Sequence, residues 1–162
     1  MKEARKFLTF CLGAEHYGID ILHVREIIGL IAITPLPRAP EFVRGVINLR
    51  GRIIPAIDLR RRFGLPGVEA TKESCMIVVD SRDSDGESSL TALVVDSVRE
   101  VQDIANNDIE APPTFGPAVP LQYIQGVGKA RDRVILILDT SVVLDMRLKN
   151  NATQSIEMRR AA

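Results

Sequence analysis

The chain contains no tryptophan, and aromatic residues make up only 4% of its 162 positions. That argues against a stacking platform for single-stranded nucleic acid. Charge of one sign is lacking too: 21 Lys+Arg balance 21 Asp+Glu, so bulk electrostatics favour neither duplex DNA nor an anionic membrane. His16 and His23 are the only histidines, and no further N or S ligands gather near them, so no metal site is expected. His16 reads as a solvated hairpin residue and His23 as an exposed one beside Val24. The two cysteines, Cys11 and Cys75, lie in separate apolar runs rather than a CxxC pair, as buried small hydrophobes of a reducing compartment do. No apolar run approaches the length of a membrane span, and the opening Met1-Lys2-Glu3-Ala4-Arg5-Lys6 has no signal-like h-region. A soluble, cytoplasmic protein is the expectation. Walker A, GxGxxG, HExxH and GxSxG patterns are all missing, so neither a cofactor nor catalysis is expected.

What is present is a repeat. Gly45-Val46-Ile47-Asn48-Leu49-Arg50-Gly51-Arg52-Ile53-Ile54-Pro55-Ala56-Ile57-Asp58-Leu59 forms two apolar runs around a polar turn. Gly51 suits a backbone position with positive φ, which lets the turn close tightly and holds Arg50 beside it. Eighty-one residues on, the stretch from Gly126 to Thr140 aligns without a gap and is identical at six of fifteen positions. Those pairs are Gly45/Gly126, Val46/Val127, Arg50/Arg131, Arg52/Arg133, Ile54/Ile135 and Asp58/Asp139. If Ile53-Ile54 and Val134-Ile135 lie in strands, burial alternates along them.

The remainder fits one β unit used twice. Phe7 to Leu12 and Tyr17 to Ile21 read as a hairpin, answered by Cys75 to Val79 and Leu90 to Val95. Val24-Arg25-Glu26-Ile27 is echoed by Val98-Arg99-Glu100-Val101 at an offset of 74, so about seven residues are inserted before the second turn. The proline-rich piece 111–117 is where they belong. Pro35, Pro37 and Pro40 exclude a helix interior. Asp58 and Asp139 could be a paired acid and base, but sitting at the same point of each repeat they read as helix caps, with Gly64 closing the first helix. The Arg60-Arg61-Arg62 run reads as a solvated helix face, residues 65–74 as a linker and 141–148 as a short helix. Hydrophobic residues at 46% allow a packed core, and many short strands imply small barrels or a sandwich sharing an apolar seam.

Phe7-Leu8-Thr9-Phe10, Tyr17-Gly18-Ile19-Asp20-Ile21, Val24-Arg25-Glu26-Ile27, the string from Pro40 to Gly51, and Ile54 to Leu59 together resemble a CheW-type chemotaxis coupling protein. The resemblance runs over about residues 7–148. It implies a mainly β fold of two five-stranded SH3-like barrels with short helices, related by internal duplication and packed on a shared hydrophobic interface. The halves, 7–64 and 75–148, would form two interleaved subdomains of a single domain, with 149–162 a polar tail. It also implies a non-catalytic adaptor coupling chemoreceptors to a CheA-type histidine kinase of a two-component system. One surface would meet the kinase's homologous regulatory domain, and the groove between the barrels would take a receptor's helical hairpin tip. Such a protein is cytoplasmic and recruited to receptor arrays at the inner membrane without inserting.

Residue by residue, Val24, Glu26, Gly45 and Arg50 match positions tied to receptor coupling, and Asn48 and Gly51 shape the same turn. The ordinary alternatives are an exposed turn arginine for Arg50, a polar strand edge for Arg25 and Glu26, and a core role for Val24. The second turn, Lys129-Ala130-Arg131-Asp132, lacks the Asn-Leu-Arg-Gly wording, so the two turns need not share a role. Two other readings stay open. A pair of small barrels could bind nucleic acid or an unrelated protein, against which neutral charge and few aromatics count. A detached coupling domain of a kinase is the other, and the chain has no phosphoacceptor or ATP-binding segment.

Overall fold

In a computed structural model, residues 3–82, 86–112 and 120–146 are described. The turn at 83–85, most of the proline-rich insertion and the 149–162 tail lie outside the described residues. Five strands precede the linker: β1 (Ala4–Leu12), β2 (Glu15–Asp20), β3 (Val24–Gly29), β4 (Val43–Leu49) and β5 (Arg52–Asp58). A four-residue helix, α1 (Leu59–Arg62), ends this half. After the linker come β6 (Cys75–Arg82), β7 (Ser88–Val95), β8 (Ser97–Ala105), β9 (Ile109–Glu110), β10 (Ile124–Ala130), β11 (Arg133–Leu138) and α2 (Thr140–Val143).

The capping carboxylates act as the repeat implies. Asp58 accepts from the amides of Arg60 and Arg61, and Asp139 from the amide of Val142. Gly64, at φ +74°, ends the first helix.

Two sheets form, with strand orders β8-β1-β2-β11-β10-β9 and β3-β6-β7-β5-β4. Aligned through the repeat these orders are the same, since β3, β4, β5, β6 and β7 take the places of β8, β10, β11, β1 and β2. The opening hairpin of each half therefore sits in the sheet built by the other half's later strands. One parallel pairing seals each exchange: β2 on β11, with Ile135 opposite His16, and β7 on β5, with Ala56 opposite Ala92. The two sheets are the two SH3-like barrels, which we call A (with β1) and B (with β3).

Burial follows strand periodicity where one face is wet. Ile53 is 61% exposed beside Ile54 at 2%, and Val134 is 56% exposed beside Ile135 at 1%. Inside barrel B, Ile47, Leu49, Ile54, Met76 and Val78 pack together. Inside barrel A the set is smaller: Phe7, Ile104, Ala130, Ile135 and Ile137. The largest cluster is the seam between the barrels, where Phe10, Tyr17 and Leu138 from one side meet Ile57, Phe63, Ile77 and Leu93 from the other. Each barrel alone buries little, and the seam supplies the apolar area that units this small need.

Candidate functional site

Four of the six expected site residues converge on one turn. In the β4–β5 hairpin Leu49 pairs with Arg52, leaving only Arg50 and Gly51 in the loop. Both have positive φ, +52° and +88°, as a two-residue hairpin turn requires. Arg50 thus occupies a conformation that side chains ordinarily avoid. The Oδ1 of Asn48 accepts the Gly51 amide at 2.8 Å and braces the loop.

The Arg50 guanidinium ion-pairs with Glu26 of β3. Arg50 is 71% exposed and Glu26 28%, so the pair adds little to folding and leaves most of the fork free for another molecule. Hydrogen bonding to Glu26 raises Arg50 above its ordinary pKa. A bulge at Arg25 interrupts the β3–β6 register next to Glu26. Exposed Ile27 and Ile53 stand on the same two strands as the pair's supports.

The repeat does not reproduce this site. Arg131 has φ +56°, but Asp132 replaces the glycine and is not in the left-handed region. Among the described residues no ion pair joins Arg131 to Glu100, the counterparts of Arg50 and Glu26; Lys129 pairs instead with Glu110 at 2.8 Å.

Gly45 and Val24 stand apart from the turn. Gly45 is buried in β4 at a register shift, with φ +151°. A Cβ there would lie 2.0 Å from the Thr34 carbonyl oxygen. Thr34 and Val46 exchange backbone hydrogen bonds of 2.8 and 2.9 Å, so the glycine lets the proline-rich loop lie across the strand. Its role is to admit that backbone. Val24 is half-buried and packs on the seam.

Val24 opens β3 directly after His23, which lines a groove of about 700 Å³ between Asp80 and Ser81 of barrel B and residues of barrel A. Arg5, Asp20, Leu22 and His23 line it together with Asp139, Thr140, Ser141 and Leu144. Arg5 is held by Asp20 at 2.8 Å, and that contact with the Leu22 amide keeps the Asp20 carboxyl below its ordinary pKa despite partial burial. The Nδ1 of His23 lies 3.2 Å from the Thr140 hydroxyl, so His23 meets the start of α2. Leu22 is 86% exposed at the mouth.

The arginine run is where the sequence reading fails. Arg60 is mostly buried in a fork-like pair with Asp96, whose other bond takes the Gly13 amide, and this hydrogen bonding draws the Asp96 carboxyl down. Arg62 is fully buried. Only Arg61 is half exposed. A helix that starts at Leu59 turns Leu59, Arg62 and Phe63 inward together, and that spacing was the available signal. His16 is also less solvated than expected: its Nδ1 faces the Cys11 sulfur at 3.5 Å and Arg133 at 3.4 Å, and burial, then the positive charges of Arg133 and Arg99, lower its pKa.

Among the described residues no group of His, Cys, Asp and Glu could hold a metal, and no helix is long and apolar enough to cross a membrane. A family model, the CheW-like domain, matches residues 6–148. The chain belongs to the CheW-like family. It is 35% identical to the chemotaxis protein CheW of Klebsiella aerogenes over 93% of this chain and 90% of that one. The CheW of Helicobacter pylori is also 35% identical, over 88% and 83%. A solved structure, the scaffolding protein TtCheW from Thermoanaerobacter tengcongensis, superposes with a TM-score of 0.78 at 37% identity, covering 88% of this chain and 94% of that one.

Proposed function

We propose that this chain is a non-catalytic adaptor that couples the helical hairpin tip of a chemoreceptor to the regulatory domain of a CheA-type histidine kinase. The observation that carries the reading is the Glu26–Arg50 pair, fixed on a left-handed turn with its fork open to solvent. An arginine already oriented by one carboxylate loses little conformational freedom on meeting a second acceptor, and its planar fork suits a carboxylate or the carbonyls at a helix end. Val24 follows His23 of the groove in sequence, and the groove's volume of about 700 Å³ with exposed Leu22 in its lining suits part of a helical hairpin. On this reading the protein is cytoplasmic and reaches the membrane only by way of receptors.

The test compares Arg50→Ala with Arg131→Ala in receptor binding and kinase activation, with RNA added as a competitor. Arg50→Ala should weaken receptor coupling, Arg50→Lys should restore part of it, and Arg131→Ala should behave as wild type. Normal binding by Arg50→Ala, uncoupling by Arg131→Ala, or displacement of the partner by RNA would each overturn the assignment.

A further inference from the structure

Among the described residues Arg62 is the one charged side chain with no exposed surface. Its guanidinium carbon lies 3.9 Å from the Phe42 ring centre and 5.2 Å from that of Tyr123. Those two aromatics are equivalent under the 81-residue repeat, so Arg62 sits where the two halves meet. From α1 its Nη2 reaches across to the carbonyls of Val142, at 3.1 Å, and Asp145, at the end of α2. The Asp145 carboxylate adds opposite charge. The contact is one-way, because the residue matching Arg62 in α2 is Val143. Nothing in α2 can return the same bond.

The segment that Arg62 holds is also a groove wall. Asp139, Thr140, Ser141 and Leu144 all belong to α2 or its ends, and His23 meets Thr140 across the opening. A helix of four residues has little cohesion of its own, so its position depends on what grips its last carbonyls. We infer that Arg62 is a positioning residue for the groove: it clamps the end of α2 to α1 and so sets how well the groove fits a helical hairpin. This rests on the adaptor reading for the groove's occupant. The Glu26–Arg50 turn lies outside the clamp and keeps its geometry without it.

The experiment uses the full chain as wild type, Arg62→Met, which keeps length but has no donor, and Arg62→Lys, which keeps charge and donors. Binding to a receptor signalling fragment and to a kinase regulatory domain is measured by calorimetry, at a temperature where melts show every variant folded. Hydrogen exchange is followed at the amides of Val143 and Leu144, which bond Asp139 and Thr140. Arg62→Met should lose about tenfold in affinity for the receptor fragment, as losing a charged hydrogen bond implies, and stay within about twofold for the kinase domain. Exchange at Val143 and Leu144 should quicken, and Arg62→Lys should restore protection and most of the affinity. Equal loss toward both partners would show a merely structural role and overturn the inference, as would unchanged receptor affinity. If Arg62→Met does not fold, Arg62→Leu, which also has no donor, takes its place with the same expected outcomes. A wild-type chain that ignores the receptor fragment would sink the adaptor reading instead. In that case unchanged exchange in Arg62→Met would overturn the clamp independently.

Discussion

Replacing Gly45 by alanine adds one methyl group to a position where only backbone surrounds it. The new Cβ would lie 2.0 Å from the Thr34 carbonyl oxygen, 2.6 Å from its carbon and 2.9 Å from the Pro35 Cα. No rotamer change relieves such contacts, so the segment around Thr34 must lift from β4. Lifting it breaks the two Thr34–Val46 hydrogen bonds, together about 1–3 kcal/mol. Whether or not it lifts, a backbone at φ +151° costs an L side chain a further 1–3 kcal/mol, roughly. Ile33, which packs on the barrel B core from this loop, is put at risk as well. The expected destabilisation of Gly45→Ala is therefore about 2–6 kcal/mol. Gly51→Ala is the built-in comparison: its φ is +88°, but no atom lies within 4 Å of the added Cβ. Only the left-handed penalty applies there, about 1–2 kcal/mol. Equilibrium urea unfolding of both variants measures the difference, and hydrogen exchange at Thr34 and Val46 locates it. If Gly45→Ala costs no more than Gly51→Ala, loop docking is not what the glycine serves.

Ile54→Asp should destabilise by several kcal/mol through an unpaired buried charge, while Ile53→Asp, on the wet face, should stay within about 1 kcal/mol; thermal melts of the pair test the strand register. Because hydrogen bonding to Arg60 depresses Asp96 in the folded state, its contribution is present above the unfolded carboxylate pKa and is lost as pH falls through the folded value. Asp96→Asn should therefore be less stable at neutral pH, yet lose less stability than wild type when acidified below about pH 4, as acid titrations of both proteins would show. Neither chelator nor reductant should move the melting temperature, since Cys11 and Cys75 are both free and no metal ligands cluster among the described residues; a fall of many degrees with either reagent would contradict this.

The β units, the alternation at Ile53-Ile54, the helix caps at Asp58 and Asp139, and the tight turn at Gly51 were legible because each depends on neighbours within a few residues. The Glu26–Arg50 contact joins residues 24 apart, and only the family resemblance named both. Gly45 was named for coupling, but its physical partner, the Thr34 carbonyl, belongs to a loop whose path no local pattern fixes. Arg60 and Arg62 were misread because three consecutive charges suggest water. Their partners Asp96, Val142 and Asp145 lie in the other half of the chain, where sequence spacing carries no information about proximity.

The reciprocal placement of the opening hairpins also governs how the protein can come into being on a ribosome. Barrel B lacks its two middle strands until residue 95 has emerged, and β2 waits for its parallel neighbour until residue 138. Barrel B cannot close before residue 95 nor barrel A before residue 138, so the nascent chain carries unpaired strand edges over much of its synthesis. A cut within residues 65–73 would separate the chain into pieces that each hold part of both barrels. Such pieces should be unfolded apart and regain structure on mixing, because each supplies the other's missing hairpin.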